Sequence, residues 1–406
     1  MSYLFNDQVS FRGDTIDAFG RLKVSQPFTL FDSQHRYQEN DKWDTSTSSG
    51  GSTSYATNES CINVSVTTAS GSKVTRETKR VFPYQPGKSL LILNTFVFAP
   101  KKTNLRQRIG YFGTQNGIYL EQSDNTVYLV LRTYTGGSVD DTTYRVAQSS
   151  WNGDKFDGTG SSGVTLDFTK ANIFWIDIEW LGVGDVRVGF AVNGRPVIAH
   201  TFYNANLRTT TYMTTASLPL RFEIENTGTT DSVSSAKHIC SSVMSEAGYE
   251  GFSRRFNVTK NGSTATTLTT VGTQYPMVSI RLNSSRLDSI IIPSNISCVL
   301  EETTSNKPDT VLYRILLNPT LTNDSWSTHY NGNVDYDISA TAVSGGTDII
   351  GGYISSSGSL SVSNINDFNF QIGRTQAGVS DVFTLTFTPV NAGAKVFCDL
   401  SWFEII

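Results

Sequence analysis

The stretch "NIFWIDIEWLGVGDVRVGFAVNGRPVIAHTF", residues 172–202, decides the fold class of this chain. Apolar side chains alternate with polar or small ones on both sides of a glycine-rich turn at residues 182–185, which is the pattern of half-buried strands. Asn193-Gly194 favours a two-residue type I′ hairpin turn, because both central residues of that turn need positive φ. The stretch therefore predicts a three-stranded antiparallel meander with one face buried in a core and the other face partly exposed to solvent.

Similar strand patterns recur along the rest of the chain, and no long amphipathic helix pattern interrupts them. They include "CINVSV", "SLLILNTFVFA", "LRFEIEN", "VLYRILLN", "VFTLTFT" and "KVFCDLSWFEII". The stretch "SEAGYEGFSRRF" has no period, and it separates two groups of these strands. At 406 residues the chain is also too long for one ordinary core.

We predict an all-β chain with two antiparallel β-sandwich domains. Residues 45–245 form a concanavalin- or laminin-G-like sandwich, and residues 254–406 form a jelly-roll-like sandwich. Residues 246–253 link the two domains. Residues 1–44 precede them as an extended N-terminal docking arm, because this segment is rich in aromatic residues and shows no sustained period.

The composition argues against several classes of function. Charged residues make up 17% of the chain and the net charge is −4, so nucleic-acid binding has no electrostatic support. The four cysteines lie far apart without CxxC spacing, which argues against a zinc site or a dense disulfide framework. We expect no membrane insertion, because no apolar run approaches the ~20 residues of a membrane-spanning helix. The sequence also lacks GxSxG, P-loop and HExxH motifs.

Two acidic residues form the most enzyme-like feature. Asp177 and Glu179 lie two apart on one predicted strand, so their side chains project from the same face. Their context, "FWIDIEW", resembles the E-x-D-x-E strand of family 16 glycoside hydrolases, but Trp175 stands at the position of the nucleophile. Retaining hydrolysis needs two carboxylates about 5 Å apart. We therefore predict no catalytic residue and no enzyme; the alternative is a carbohydrate-binding or depolymerising protein that uses this strand.

A loop rich in glycine is a second candidate site. The stretch "WNGDKFDGTGSSG", residues 151–163, places an aromatic ring beside oxygen-bearing side chains that suit calcium. It lacks the spacing of an EF-hand, so an ordinary polar loop is the alternative, and we predict no other metal or cofactor. The candidates for glycan or ion contact are Trp151, Asn152, Asp154, Asp157, Asp177 and Glu179. For Trp151 the alternative is a position in the core or in a subunit contact.

The stretch "DAFGRLKVSQPFTLFDSQHRY", residues 17–37, resembles a segment near the N-termini of virion structural proteins of tailed bacteriophages, especially marine and cyanobacterial phages. "FPYQPGKSLLI", "RIGYFGTQNGIYLE", "SEAGYE", "NVDYDISATAVSGGT" and "FQIGRTQAGVSDVFTLTF" resemble the same family, so the likeness covers most of the chain. This family supplies no catalytic residues.

The resemblance implies a non-enzymatic virion protein of the tail, neck or fibre apparatus that assembles in the host cytoplasm. The expected partners are other virion proteins, such as a tail, neck or portal-proximal ring, and further copies of the chain, for example in a trimer. The sandwich loops are expected to contact host surface glycans. The alternatives are a capsid decoration protein and an arm that folds back along its own first domain. The expected assembly contacts on the arm are Phe19, Phe28, Leu30 and Phe31.

Overall fold

The computed structural model describes residues 24–251, 253–301, 309–356, 359–362 and 370–405. In this part of the chain the regular structure consists of antiparallel strands and single turns of 3₁₀ helix, which confirms the all-β prediction. No helix in the described ranges is long and apolar enough to cross a membrane.

The first sandwich is built from the strands that precede residue 246. In chain order these are β1 (Phe28–Gln34), β2 (Trp43–Ser48), β3 (Ser52–Ala56), β4 (Cys61–Val66), β5 (Lys73–Thr78), β6 (Leu90–Val97), β7 (Leu105–Phe112), β8 (Gly117–Ser123), β9 (Thr126–Arg132), β10 (Arg145–Ala147), β11 (Asn172–Ile178), β12 (Val186–Val192), β13 (Arg195–Phe202), β14 (Leu220–Asn226) and β15 (Ser234–Ser245).

These strands form two facing sheets. The eight-stranded sheet has the order β13-β12-β11-β6-β15-β4-β3, with β1 also paired to β15, and the seven-stranded sheet has the order β10-β9-β8-β7-β14-β5-β2. Alternate residues from both sheets meet in one core, for example Phe96 and Phe174 from the first sheet and Ile109 and Phe222 from the second. The chain is thus a β-sandwich over this half, as expected from period-2 alternation.

The meander expected over residues 172–202 is present as β11, β12 and β13. Asn193 and Gly194 form its second turn with φ values of 52° and 74°, the positive values that the dipeptide predicted. Phe174 and Ile176 point into the core and Trp175 lies on the outer face, so the alternation of this stretch correctly assigned its two faces.

The second sandwich follows from residue 254. Its strands are β16 (Arg254–Thr259), β17 (Thr266–Leu268), β18 (Tyr275–Leu282), β19 (Ile290–Glu301), β20 (Thr310–Leu317), β21 (Thr320–Thr322), β22 (Ser327–Thr328), β23 (Val334–Asp337), β24 (Ala342–Ser344), β25 (Thr347–Ser355), β26 (Ser359–Val362), β27 (Val382–Pro389) and β28 (Ala394–Ile405).

The pairing of these strands is that of a jelly roll. One sheet has the order β16-β28-β19-β26 with β17 also on β28, and the other has the order β22-β23-β18-β27-β20-β25. If β16, β18, β19, β20, β25, β26, β27 and β28 are lettered A to H, the sheets contain A-H-C-F and B-G-D-E, the arrangement of an eight-stranded jelly roll. Trp402 is fully buried in the core between them.

The two sandwiches contact each other through a loop of the second. Arg374 forms ion pairs with Glu77 of β5 at 2.6 Å and with Asp288 at 2.8 Å. The side-chain amide of Gln376 donates to the backbone oxygen of Asp44 at 3.0 Å. A small apolar cluster also joins the halves and contains Val81, Ile290 and Ile292.

The described part of the expected docking arm, residues 24–44, belongs to the first sandwich. Phe28–Gln34 pairs antiparallel with β15, and a β-bulge between Thr29 and Phe31 turns both Leu30 and Phe31 inward. The prediction that Leu30 and Phe31 contact another subunit is therefore wrong, as is an arm that extends to residue 44. Phe28 is 40% exposed and stacks on Tyr249, with ring centroids 5.5 Å apart. Phe19 lies outside the described residues.

Replacing Phe31 by alanine is expected to destabilise the first sandwich by about 3–5 kcal/mol, because it leaves a cavity where the ring packs against Phe82 at 4.9 Å. Urea denaturation followed by tryptophan fluorescence measures this loss. Phe28→Ala is the matched control and should cost about 1 kcal/mol, because that ring is partly exposed. Equal small losses in the two variants would contradict the placement of β1.

Candidate functional site

A groove lies on the outer face of the eight-stranded sheet, and we call it the Trp175 groove. It has a volume of about 520 Å³ and is formed by outward side chains of β6, β11, β12 and β13 and by Glu246 just after β15. Leu91 and Leu93 of β6 provide an apolar wall, because Ile92 between them points into the core. Trp175 and Asp177 of β11 lie side by side on the same face.

The indole of Trp175 packs closely against a glycine of the neighbouring strand. A Cβ at Gly189 would lie 2.7 Å from the Cζ2 carbon of the indole, so only glycine leaves room for the ring in this position. Trp175 is 6% exposed, and its indole nitrogen is buried without a hydrogen-bond partner. The groove thus contains a large apolar ring, and the protein provides no hydrogen-bond acceptor for the N–H group of this ring.

Asp177 is the acidic member of the groove. It pairs with Arg187, the residue directly opposite on β12, while its Oδ1 atom is buried without a hydrogen-bond partner. Burial raises the pKa of Asp177 to about 6, and the neighbouring Glu246 and Glu179 add to this effect while Arg187 opposes it. The carboxyl group is therefore poised to gain or lose a proton near neutral pH.

The second acid of the sequence motif does not share the groove. Glu179 follows the end of β11 and is exposed, and it does not belong to the lining. Its place as the second carboxylate is taken by Glu246, whose Oε2 accepts a hydrogen bond from the Ser89 hydroxyl at 2.6 Å. No local pattern marks Glu246 in the sequence, because it reaches the groove only through the pairing of β15 with β6.

The aromatic residue of the glycine-rich loop belongs to the core. Trp151 is buried, its indole N–H donates to the backbone oxygen of Val146 at 3.1 Å, and its ring stacks on Phe190. The prediction that Trp151 contacts a glycan is therefore wrong. The amide of Asn152 pairs with the backbone of Thr201, with its nitrogen donating at 2.9 Å and its oxygen accepting at 2.8 Å.

The two acids of this loop hold its own turns. Asp154 is buried and accepts backbone N–H bonds from Phe156 at 2.8 Å and from Ser162 at 2.6 Å. Asp157 accepts both the N–H and the hydroxyl of Thr159. Across the described ranges, no three or more His, Cys, Asp or Glu side chains come together as metal ligands. Calcium binding at this loop stays a prediction that these contacts do not support.

A larger cavity of about 680 Å³ lies between the sandwiches. Its lining is dominated by hydroxyls and charges, such as Thr45, Thr75, Lys73 and Arg221, and contains no aromatic ring. Small-molecule sites usually combine apolar or aromatic walls with a few polar groups. The Trp175 groove has this combination and is the better candidate for binding.

No protein-family model matches the sequence, and no curated protein matches it. Among solved structures, the carbohydrate recognition domain of Emp47p is similar, with 13% identity, coverage of 54% of this chain and 97% of that chain, and a TM-score of 0.33. The CBM2 module of the evolved Dit of Lactobacillus casei BL23 phage J-1 has 8% identity, coverage of 56% and 100%, and a TM-score of 0.35. The Lotus tetragonolobus seed lectin has 7% identity, coverage of 55% and 100%, and a TM-score of 0.32. These values leave the function to be inferred from the chain's own residues.

Asp177 is expected to titrate near pH 6, and a carbon-detected NMR titration of its carboxyl group measures this directly. Because the pKa is raised on folding, this group lowers the free energy of unfolding as the pH rises from about 4 to about 6. The Asp177→Asn variant lacks this titrating group. Its free energy of unfolding, measured relative to that of the wild type, should therefore rise across that range.

The Arg187→Gln variant serves as the control for this titration. Loss of the guanidinium removes the positive charge that lowers the pKa of Asp177, so the midpoint should move to higher pH. A wild-type midpoint near 4, or a midpoint that does not respond to Arg187→Gln, would contradict the buried ion pair.

Proposed function

We propose that this chain is a non-enzymatic structural protein of a tailed-bacteriophage virion, part of the tail, neck or fibre apparatus, whose first sandwich binds a host-surface saccharide in the Trp175 groove. The virion part is supported by the sequence resemblance. The binding part is carried by one observation: Trp175 and Asp177 both line the groove, and each has a buried polar atom without a partner, the indole nitrogen of Trp175 and the Oδ1 atom of Asp177.

The unsatisfied polar atoms of Trp175 and Asp177 favour the binding of a hydroxylated ligand in the groove. A buried donor or acceptor without a partner costs about 1–3 kcal/mol, and a ligand that pairs with it recovers part of this cost. Each sugar hydroxyl can donate and accept, so one saccharide can satisfy both Trp175 and Asp177. The apolar C–H face of a sugar ring suits the indole, and Arg187, whose side chain is 47% exposed, can reach further hydroxyls.

A depolymerase is the second candidate function, and the raised pKa of Asp177 favours it. A carboxyl group with a pKa of about 6 is suited to act as a general acid, and Glu246 offers a second carboxylate in the same groove. Against this, glycoside hydrolysis needs two carboxyl groups across the scissile bond, whereas Asp177 is held by Arg187.

The Trp175→Ala variant is expected to lower the affinity for host polysaccharide at least about tenfold, because it removes the ring and its N–H together. Trp175→Phe keeps an aromatic ring and should lose less. Isothermal titration calorimetry with purified host polysaccharide measures both. Tyr330→Ala, which changes an 84% exposed tyrosine of the second sandwich, is the control and should bind as the wild type does. Equal affinity in all variants would overturn binding at this groove.

A reducing-sugar assay on the same polysaccharide separates the two candidates. The proposal expects no product from the wild type. Product formation that disappears in Asp177→Asn and Glu246→Gln would establish the depolymerase instead.

Immunogold electron microscopy of purified particles tests the virion part. Label on the tail, neck or fibres supports the proposal. Label over the head would make the chain a capsid decoration protein, and particles without label would overturn a virion role.

Residues 1–23 are the segment proposed to dock on other virion proteins, and they contain Phe19. Deleting residues 1–23 should leave the first sandwich folded and abolish incorporation into particles, because every described strand remains. Deleting residues 1–44 should instead unfold this sandwich, since Leu30, Phe31 and Trp43 belong to its core. Circular dichroism and a particle incorporation assay measure these effects. Normal incorporation without residues 1–23 would contradict docking through this segment.

A further inference from the structure

Two cysteines face each other across the central ladder of the jelly roll. Cys298 on β19 and Cys398 on β28 are direct register partners in this antiparallel pair. Both side chains are buried and point into the same core. Both are thiols in this structure.

The backbone shows which kind of pair they form. The N–H of Lys260 donates to the backbone oxygen of Cys398 at 3.1 Å, so the polar backbone groups of Cys398 point toward β16 and away from β19. The two cysteines are therefore a non-hydrogen-bonded pair, for which the Cα atoms lie about 4.5 Å apart and the side chains are closest. Disulfides usually join Cα atoms about 4.4–6.8 Å apart, so this position can accept one.

We infer that Cys298 and Cys398 are a site of oxidation, at which a low-molecular-weight disulfide converts them to a cross-strand disulfide. The thiolate of one cysteine attacks the reagent disulfide and forms a mixed disulfide, releasing one reagent thiol. The thiolate of the other cysteine then attacks the protein sulfur of that mixed disulfide and releases the second reagent thiol. Two protein thiols are oxidised, one reagent disulfide is reduced, and the two protons pass to the released thiolates.

The surroundings make this reaction slow in the folded protein. Burial raises the pKa of Cys298 to about 12, and it also raises the pKa of Cys398, although the ammonium of Lys260 opposes this. Little thiolate is present near neutral pH, so exchange depends on opening of the sheet or occurs as the sheet closes during folding. Reducing cytoplasm keeps the thiols free, and an oxidising medium allows the bond.

The other two cysteines are internal controls. Cys240 has Gln34 and Thr95 as its register partners, and Cys61 has Ala56. Neither is a register partner of another cysteine, so the inference concerns one pair only.

The experiment uses the full chain as a Cys61→Ala/Cys240→Ala variant, in which the facing pair alone can react. The protein is incubated with excess oxidised glutathione, both folded and during refolding from urea, and then alkylated under denaturing conditions. Mass spectrometry is expected to show the loss of two hydrogen atoms, no glutathione adduct, and one linked peptide pair that contains Cys298 and Cys398.

The bond should also raise the thermal unfolding midpoint of the second sandwich by roughly 5–15 °C, because it closes a loop of about 100 residues. Dithiothreitol should reverse this shift, and a Cys298→Ala/Cys398→Ala variant should show no shift with the oxidant. Stable glutathione adducts on separate cysteines, disulfides between chains, or free thiols after both folded incubation and refolding would overturn the inference.

Discussion

The antiparallel ladder between β6 and β15 is the contact on which the first sandwich depends. It joins Leu90–Val97 to residues 237–245, which are separated by more than half of this domain. The register of this ladder shifts at a bulge between His238 and Cys240, and at the same point β15 changes its partner on the opposite edge. The first part pairs with β4 and the second with β1, so one strand holds three neighbours in register. Because a slip of one residue would exchange the two faces, this register also determines which side chains reach the outer surface.

The same alternation that fills the core also builds the groove. Inward residues of β11, such as Phe174 and Ile176, leave Trp175 and Asp177 on the outer face as a consequence of strand geometry. Gly189 on the adjacent strand has no side chain, which leaves room for the indole to pack against the sheet. The groove therefore needs no irregular loop to form. Its polar atoms carry an energetic cost in the free protein, which stable folds tolerate mainly where a ligand or a partner later satisfies them.

The sequence predicted what depends on local periodicity and missed what depends on tertiary pairing. The meander, its Asn193-Gly194 turn and the common face of Trp175 and Asp177 follow from period-2 alternation. The inward turn of Leu30 together with Phe31 depends on a bulge that β15 imposes, and Glu246 reaches the groove only through β6. Neither effect leaves a local signal.

The sequence also gives no signal for the contacts that buried polar side chains make with each other. Arg76 is fully buried and pairs with Glu39, while its guanidinium also donates to the Thr45 hydroxyl at 3.0 Å. These three residues come from separate segments, and only the folded sheet brings them together. The sequence does not reveal the core position of Trp151 for the same reason, since the polar neighbours of this residue give no sign that the loop pairs with the edge of β13.

The position of β1 links the two parts of the proposed function. The hydroxyl of Ser25 donates to the backbone oxygen of Glu246 at 2.9 Å, and the side chain of Glu246 lines the Trp175 groove. Ser25 therefore lies next to a residue that lines the groove. If the proposed docking and the proposed saccharide binding both hold, the chain enters the fold beside its binding groove. A partner held close to Ser25 would then change the space and charge available to a saccharide at Trp175, and the saccharide would have the same effect on the partner.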